Sequence, residues 1–344
     1  MPEIVPVAWE AGTPLSAESR ATLRRAADIL LRGGLVAIPT ETVYGLAAVA
    51  TDAAAVARIF AAKGRPASNP LIVHVSGVDM LRPLVATWPE EAERVTAHHW
   101  PGPLTVVVPA SDAVPDVVRA GGTTVALRSP EHPVTASLLA ILGKPLAAPS
   151  ANRSGLISPT TAAHVATSLG DAVDLILDGG TCDCGIESTV LDLSGAVPRV
   201  LRPGPLDRQT LEVSLHGSIE GPEVTSSTVA RSPGLLPRHY APKAELELAT
   251  DGRERVHTLL AADKRVGWIT RGAVAATAAA ASASKGRLHH LSLPDDPAGY
   301  ARHLYASLHA LDDLGVEAIV VDRPPGDEAW HAVQDRLTRA SYRE

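Results

Sequence analysis

The segment DAAAVARIFAAKGRPASNPLIVHV, Asp52 to Val75, reads as helix, basic loop and strand in immediate succession. Asp52 is a helix-capping residue ahead of an alanine-rich run in which Val56, Ile59 and Phe60 carry the apolar side chains, and Gly64 is a residue that stops helices. Leu71 to Val75 is a short apolar run of strand length. A helix followed at once by a buried strand, with polar residues gathered in the connection, predicts a mixed α/β fold whose site lies in loops at strand ends.

The flanking chain repeats this grammar. Ser16 caps a predicted helix with Leu23, Ala26, Ala27, Leu30 and Leu31 on its apolar face, Gly33-Gly34 ends it, and Leu35 to Ile38 reads as a strand. A helix is expected at Glu90 to His99, with others at Val134 to Leu142 and Thr160 to Leu169. Strands fit Leu104 to Val108, Val125 to Arg128, Leu175 to Leu177, Thr189 to Leu193 and Val200 to Arg202. From Gly221 the chain turns rich in Pro, Ser and Gly, so residues 1–222 are expected to form one domain and 223–243 a linker. In 244–344, strands at Ala244 to Leu248, Val266 to Ile269, Leu288 to Leu293 and Ala318 to Val321 alternate with helices. The clearest of those helices is capped by Asp296 with Pro297 in its first turn. Such alternation predicts a parallel, Rossmann-like sheet with helices on both faces, although no Gly-x-Gly-x-x-Gly follows its first strand. The alanine tract from Ala273 to Ala283 is expected to be helical.

The chain has 344 residues, 45% of them hydrophobic but only 3% aromatic, so its cores must be built from Ala, Val, Leu and Ile. A formal net charge of −7 argues against a protein that coats nucleic acid. Cys182 and Cys184 stand too close in sequence for an unstrained disulfide. With no signal-peptide pattern and no membrane-length apolar run, a cytoplasmic location is expected.

Several polar clusters carry candidate chemistry. Lys63 and Arg65, with Asn69 between two prolines, suit a polyphosphate; equally, the two cations suit the C-terminus of the helix they follow. Pro149-Ser150-Ala151-Asn152-Arg153-Ser154-Gly155 suits phosphate oxygens or a phosphate-bound Mg²⁺, and is also good turn and capping sequence. In Pro39-Thr40-Glu41-Thr42-Val43-Tyr44-Gly45, Glu41 reads as a base or an ion-pair partner. His74 lies in an otherwise apolar strand, where a satisfied core histidine is the commoner finding. Arg128 ends a strand, a position suited to gripping a carboxylate. Cys182-Asp183-Cys184 lacks the second ligand pair of a zinc site, so no metal is assigned there. His98-His99 and His289-His290 read as surface residues.

Taken in order, Pro39-Thr40-Glu41-Thr42-Val43-Tyr44-Gly45-Leu46, Lys63-Gly64-Arg65-Pro66, Asn69-Pro70-Leu71, Trp100-Pro101-Gly102-Pro103-Leu104-Thr105, Pro149 to Gly155, Glu187-Ser188-Thr189 and Leu201-Arg202-Pro203-Gly204 strongly resemble the YrdC-type threonylcarbamoyl-adenylate synthases. The match runs from about Ser16 to Leu206. Ser232-Pro233-Gly234, Arg238-His239-Tyr240-Ala241-Pro242 and the trailing α/β region are similar to the two-domain branch of that family. The resemblance implies a twisted mixed sheet around a concave basic cavity, and a reaction in which L-threonine, bicarbonate and ATP give threonylcarbamoyl-AMP and pyrophosphate. It further implies partner proteins that pass the threonylcarbamoyl group to tRNA beside the anticodon, without stable nucleic-acid binding by this chain. Mg²⁺ is expected on the ATP phosphates, with no dedicated protein cage.

By the same resemblance Lys63, Arg65, Asn69, Thr124, Ser150, Asn152, Ser158 and Arg202 would handle ATP, Lys63 and Arg65 serving catalysis. Thr42, His74, Arg128, Ala148 and Ser188 would hold threonine, and Tyr240 would close over the nucleotide. Two alternatives stand beside this reading: an RNA-binding module, and the carbamoyl adenylation performed by YrdC-like domains of hydrogenase-maturation proteins.

Overall fold

A computed structural model of the chain describes residues 2–10, 12–221, 238–272 and 286–343. The expected alanine-tract helix and most of the predicted linker lie outside these residues. The described chain separates into two compact units. One comprises 2–154, Pro159–Asp183 and 187–221; the other comprises Gly155–Ser158, Cys184–Ile186 and 238–343. Two short stretches of the N-terminal sequence thus group with the second unit, which no local sequence signal announces.

The first unit is built on ten strands: β1 (Ile4–Pro6), β2 (Val36–Ile38), β3 (Gly45–Val49), β4 (Ile72–His74), β5 (Leu104–Pro109), β6 (Thr124–Arg128), β7 (Leu146–Ala147), β8 (Leu175–Asp178), β9 (Thr189–Asp192) and β10 (Arg199–Arg202). Their order across the sheet is β1-β8-β2-β3-β7-β4-β6-β5-β9-β10. The pairings are mixed: β4 runs parallel to β6 and β5 to β9, whereas β3–β7, β4–β7 and β5–β6 are antiparallel. β3 was not anticipated, because its sequence Gly-Leu-Ala-Ala-Val has little β-branched character and follows a polar loop.

Helix boundaries follow the caps. Asp52 accepts hydrogen bonds from the N–H groups of Ala54 and Ala55, and the helix Ala53–Lys63 ends at Gly64 in the left-handed conformation, φ 61°. Ser16 accepts from Ser19 N at the start of Ala17–Leu31. Leu31, expected on the apolar face of that helix, is 53% exposed, since it closes the last turn beside the Gly33-Gly34 stop.

Residues directly paired across strands share a face, and this divides the sheet. One face presents Ala48, Val73, Ala147, Leu127, Val106 and Leu191 to a core completed by Val56 and Ile59 of Ala53–Lys63, Val95 of Glu90–His99, Val165 of Ala162–Leu169 and Leu211 of Arg208–Leu215. The opposite face, over β8, β2, β3 and β7, packs Leu175, Val36, Ala47 and Leu146 against Leu23 and Leu30 of Ala17–Leu31 and Leu138 of Pro133–Leu142. Over the remaining strands that second face changes character. A small apolar floor of Ile72, Ala126, Val107 and Val190 is ringed by polar and charged side chains.

The second unit contains β11 (Glu245–Ala249), β12 (Val266–Arg271), β13 (Leu288–Leu293) and β14 (Ala318–Asp322), all parallel in the order β11-β14-β12-β13. Val256 and Leu259 of the helix Gly252–Ala261 pack on Trp268 and Val320. Leu311 of Pro297–Asp313 lies over Gly267, which faces the other way from Trp268; a Cβ there would stand 2.8 Å from Leu311 Cδ1, so the helix approaches only because the residue is glycine. Helices therefore cover both faces, as the alternation predicted.

Candidate active site

The helix Ala53–Lys63 delivers its last side chain into the loop system. Lys63 is buried, and its Nζ donates to the carbonyl of Ser150 at 2.5 Å and to that of Asn152. Burial, then the neighbouring Arg65 charge, holds the Lys63 pKa well below the ordinary lysine value, with Glu187 pulling the other way. Arg65 folds back on its own loop, Nε donating to Asn69 O at 3.0 Å and one terminal nitrogen to Pro70 O at 2.7 Å. The two cations thus brace two loop backbones, the one that carries Ser150 and Asn152 and the one that carries Asn69 and Pro70. Asn69 behaves differently: it is only 3% exposed, and neither its amide nitrogen nor its amide oxygen has a hydrogen-bond partner. A buried amide with both atoms unmet is costly unless a ligand meets them.

The β4–β6 register, Ile72 against Ala126 and His74 against Arg128, places Thr124 beside Pro70 when carried two residues back. Ala148 donates its N–H to Ile72 O at 3.0 Å, so Ala148 lies beside Ile72 at the edge of the floor and half-buried Ser150 beyond it towards Pro70. Lys63, Arg65, Asn69, Thr124, Ser150 and Asn152 are in this way gathered at one end of the polar face.

The other end, four residues along β6 or roughly 13 Å away, holds His74, Arg128 and Thr42. Arg128 is buried: Nε donates to Gly102 O at 3.2 Å and one terminal nitrogen to Thr42 Oγ1 at 2.8 Å. Its other terminal nitrogen stands 2.7 Å from Glu41 Oε1. That distance makes an ion pair, yet neither atom is aligned for a hydrogen bond. His74 Nδ1 is buried without a partner, and burial, then the Arg128 charge, pushes the His74 pKa down to about 3, so the ring is neutral at physiological pH. On the β9–β10 side Arg202 is buried and donates to Ser188 O at 2.9 Å and 3.1 Å and to Ser188 Oγ at 3.1 Å, while Ser188 Oγ and Thr105 Oγ1 are 2.7 Å apart.

Two expected site residues belong to the second unit. Ser158 is buried there, its carbonyl accepting from His309 Nε2 at 3.2 Å. Tyr240 is also buried, with φ 62°, its ring stacked on Tyr305 at 5.9 Å and covered by the Arg336 guanidinium at 5.2 Å. Thr105 and Glu187 were not singled out individually from sequence, although both sit in quoted motifs. An alternation rule applied to Leu104–Pro109 would have found Thr105, since it faces the same way as Val107. The paired histidines depart from the surface expectation: His99 bonds Ser214 Oγ at 2.8 Å, His290 bonds Thr270 Oγ1 at 2.9 Å, and only His98 of the four is exposed. Among the described residues no group of three His, Cys, Asp or Glu side chains is arranged to hold a metal ion, and no helix is long and apolar enough to cross a membrane.

Residues 28–204 match the family model described as telomere recombination, and residues 206–341 that of the threonylcarbamoyl-AMP synthase C-terminal domain. A threonylcarbamoyl-AMP synthase of Pyrococcus abyssi (strain GE5 / Orsay) is 40% identical over 93% of this chain and 94% of its own length. One of Bacillus subtilis (strain 168) is 38% identical over 93% and 92%. Among solved structures, P. abyssi Sua5 complexed with L-threonine superposes with a TM-score of 0.86 at 39% identity, covering 98% of this chain and 97% of that one.

Proposed function

Because the chain belongs to the threonylcarbamoyl-AMP synthase family, we propose that the polar half of its ten-stranded sheet is the adenylating site, with ATP at the Asn69 end and threonine at the Arg128 end. The enzyme transfers AMP: L-threonine, bicarbonate and ATP yield threonylcarbamoyl-AMP and pyrophosphate, the activated group being destined for tRNA modification. The observation that carries the spatial assignment is the pair of unmet buried groups, the Asn69 amide and His74 Nδ1, at opposite ends of one apolar floor.

In this reading Lys63 and Arg65 hold the loops that surround the phosphates, and their charge stabilises the negative charge that develops as pyrophosphate leaves. Asn69, Thr124, Ser150 and Asn152 contact ATP, and Arg202, bonded to Ser188, meets it from the β9–β10 side. Arg128 takes the threonine carboxylate, with Thr42, His74, Ala148 and Ser188 forming the rest of its pocket. Threonine's amine, once neutral, adds to CO₂ derived from bicarbonate, and the carbamate oxygen attacks the α-phosphorus with pyrophosphate departing. No covalent enzyme intermediate is needed, so positioning and charge account for the rate. The donor set suits phosphate and carboxylate oxygens better than a bare cation; Mg²⁺ carried on the phosphates of ATP would screen their charge. The product leaves for proteins that complete transfer to tRNA, and a cytoplasmic setting suits those substrates.

The relatives support neither the RNA-binding alternative nor carbamoyl adenylation. The direct test is pyrophosphate release from ATP with threonine and bicarbonate each omitted in turn. Release that persists without threonine would refute the assignment.

A further inference from the structure

Arg128 and Glu41 form a charge pair with an unusual defect. Both side chains are buried, Glu41 Oε1 and an Arg128 terminal nitrogen lie 2.7 Å apart, and both atoms lack a hydrogen bond. Each residue is nonetheless fixed through its other atoms. Arg128 is held by Gly102 O and Thr42 Oγ1, and Glu41 Oε2 accepts from Glu131 N at 3.2 Å. The loop that carries Glu41 is itself pinned, since Thr40 Oγ1 accepts from the N–H groups of Thr42 and Val43 and donates to Val43 O at 2.6 Å. An anion and a cation are therefore held side by side with one bonding atom of each left over. The two charges offset each other, but a buried polar atom without a hydrogen bond is costly, and a ligand that bears both signs a few ångströms apart satisfies both atoms together.

We propose that Glu41 is a specificity-determining residue that receives the α-ammonium of the amino acid whose carboxylate Arg128 binds, so that the Glu41–Arg128 pair reads the zwitterion as a unit. This assignment rests on the threonine reading above and adds to it the group that distinguishes an α-amino acid from an α-hydroxy acid. The geometry suits the task. In an α-amino acid the ammonium and carboxylate are separated by one carbon, matching two protein charges that already touch. His74 Nδ1, on the strand paired with Arg128, is left for the remaining polar group of the ligand.

The test is calorimetric titration of the full chain with L-threonine and with 2,3-dihydroxybutanoate, which keeps the carboxylate and the β-hydroxyl but carries a hydroxyl in place of the ammonium. The unmodified protein should bind threonine far more tightly than the analogue. Glu41→Gln should weaken threonine by about thirtyfold or more, as loss of one buried charge partner does, while the analogue changes by no more than about twofold. Glu41→Asp, which keeps the charge, should still discriminate between the two ligands. If Glu41→Gln weakens both ligands alike, Glu41 merely props Arg128 and the proposal falls alone. If the unmodified protein binds no threonine, the threonine reading falls and this assignment with it.

Discussion

Replacing Arg65 by alanine separates a residue that only meets substrate from one that also builds the site. From sequence, Lys63 and Arg65 were expected at the ligand, outside the core, so that alanine at either would leave thermal stability nearly unchanged. The folded chain revises that for Arg65, whose guanidinium donates to the carbonyls of Asn69 and Pro70 while largely buried. Hydrogen bonds from a charged donor contribute about 1.5 kcal/mol each at the lower end, so losing two costs about 3 kcal/mol. Removing the charge also relieves its repulsion of Lys63, returning about 1 kcal/mol at the effective dielectric of such sites. The net loss of about 2 kcal/mol lowers the unfolding midpoint by about 4–8 °C for a unit of this size. Differential scanning fluorimetry of Arg65→Ala and Arg65→Lys against the unmodified protein measures it, and the lysine variant should recover about half, because a point charge reaches one carbonyl and not both. Pyrophosphate release by Arg65→Ala should fall together with the midpoint. A midpoint within about 2 °C of the unmodified protein would show that these loop bonds contribute nothing and that Arg65 acts on the ligand alone.

Asn69→Ala should do the reverse: its amide makes no bond within the chain, so the midpoint should hold while ATP affinity drops by about tenfold or more, read by titration. A neutral buried His74 makes stability depend on acid. Its folded pKa of about 3 lies below the unfolded value near 6.5, so the unfolded chain binds the extra proton between them and stability falls as pH drops through that window. Urea midpoints measured from pH 7 to 4 should fall less steeply for His74→Gln; parallel slopes would count against the buried neutral ring. Amino-acid selection should be uneven. Serine, lacking one methyl, should lose about 10- to 200-fold in kcat/KM and valine more, because a pocket that bonds a hydroxyl rejects a ligand without one. Pyrophosphate release with valine comparable to that with threonine would contradict the pocket assignment.

Local chemistry in the chain determined a great deal by itself. Capping residues such as Ser16, Asp52 and Asp296, and stops such as Gly64, act on their own few neighbours, so helix ends fell where the sequence put them, as at Ala53–Lys63. The alternating second half announced its parallel sheet for the same reason: helix and strand periods are written within each element. The ordered motifs marked the candidate site residues, yet not how they are joined. Strand order depends on pairings between distant segments. β3 was overlooked because the partners that make it a strand, β2 and β7, lie on either side of it in the sheet rather than in its own sequence. Register decided that Ile72, Ala126, Val107 and Val190 form one floor, and burial decided that Lys63 and Arg65 bond carbonyls as well as standing near a ligand. Glu41 shows the division most plainly. As a residue in a polar loop it read equally well as base or ion-pair partner, and only the fold brought Arg128, 87 positions away, to 2.7 Å from it.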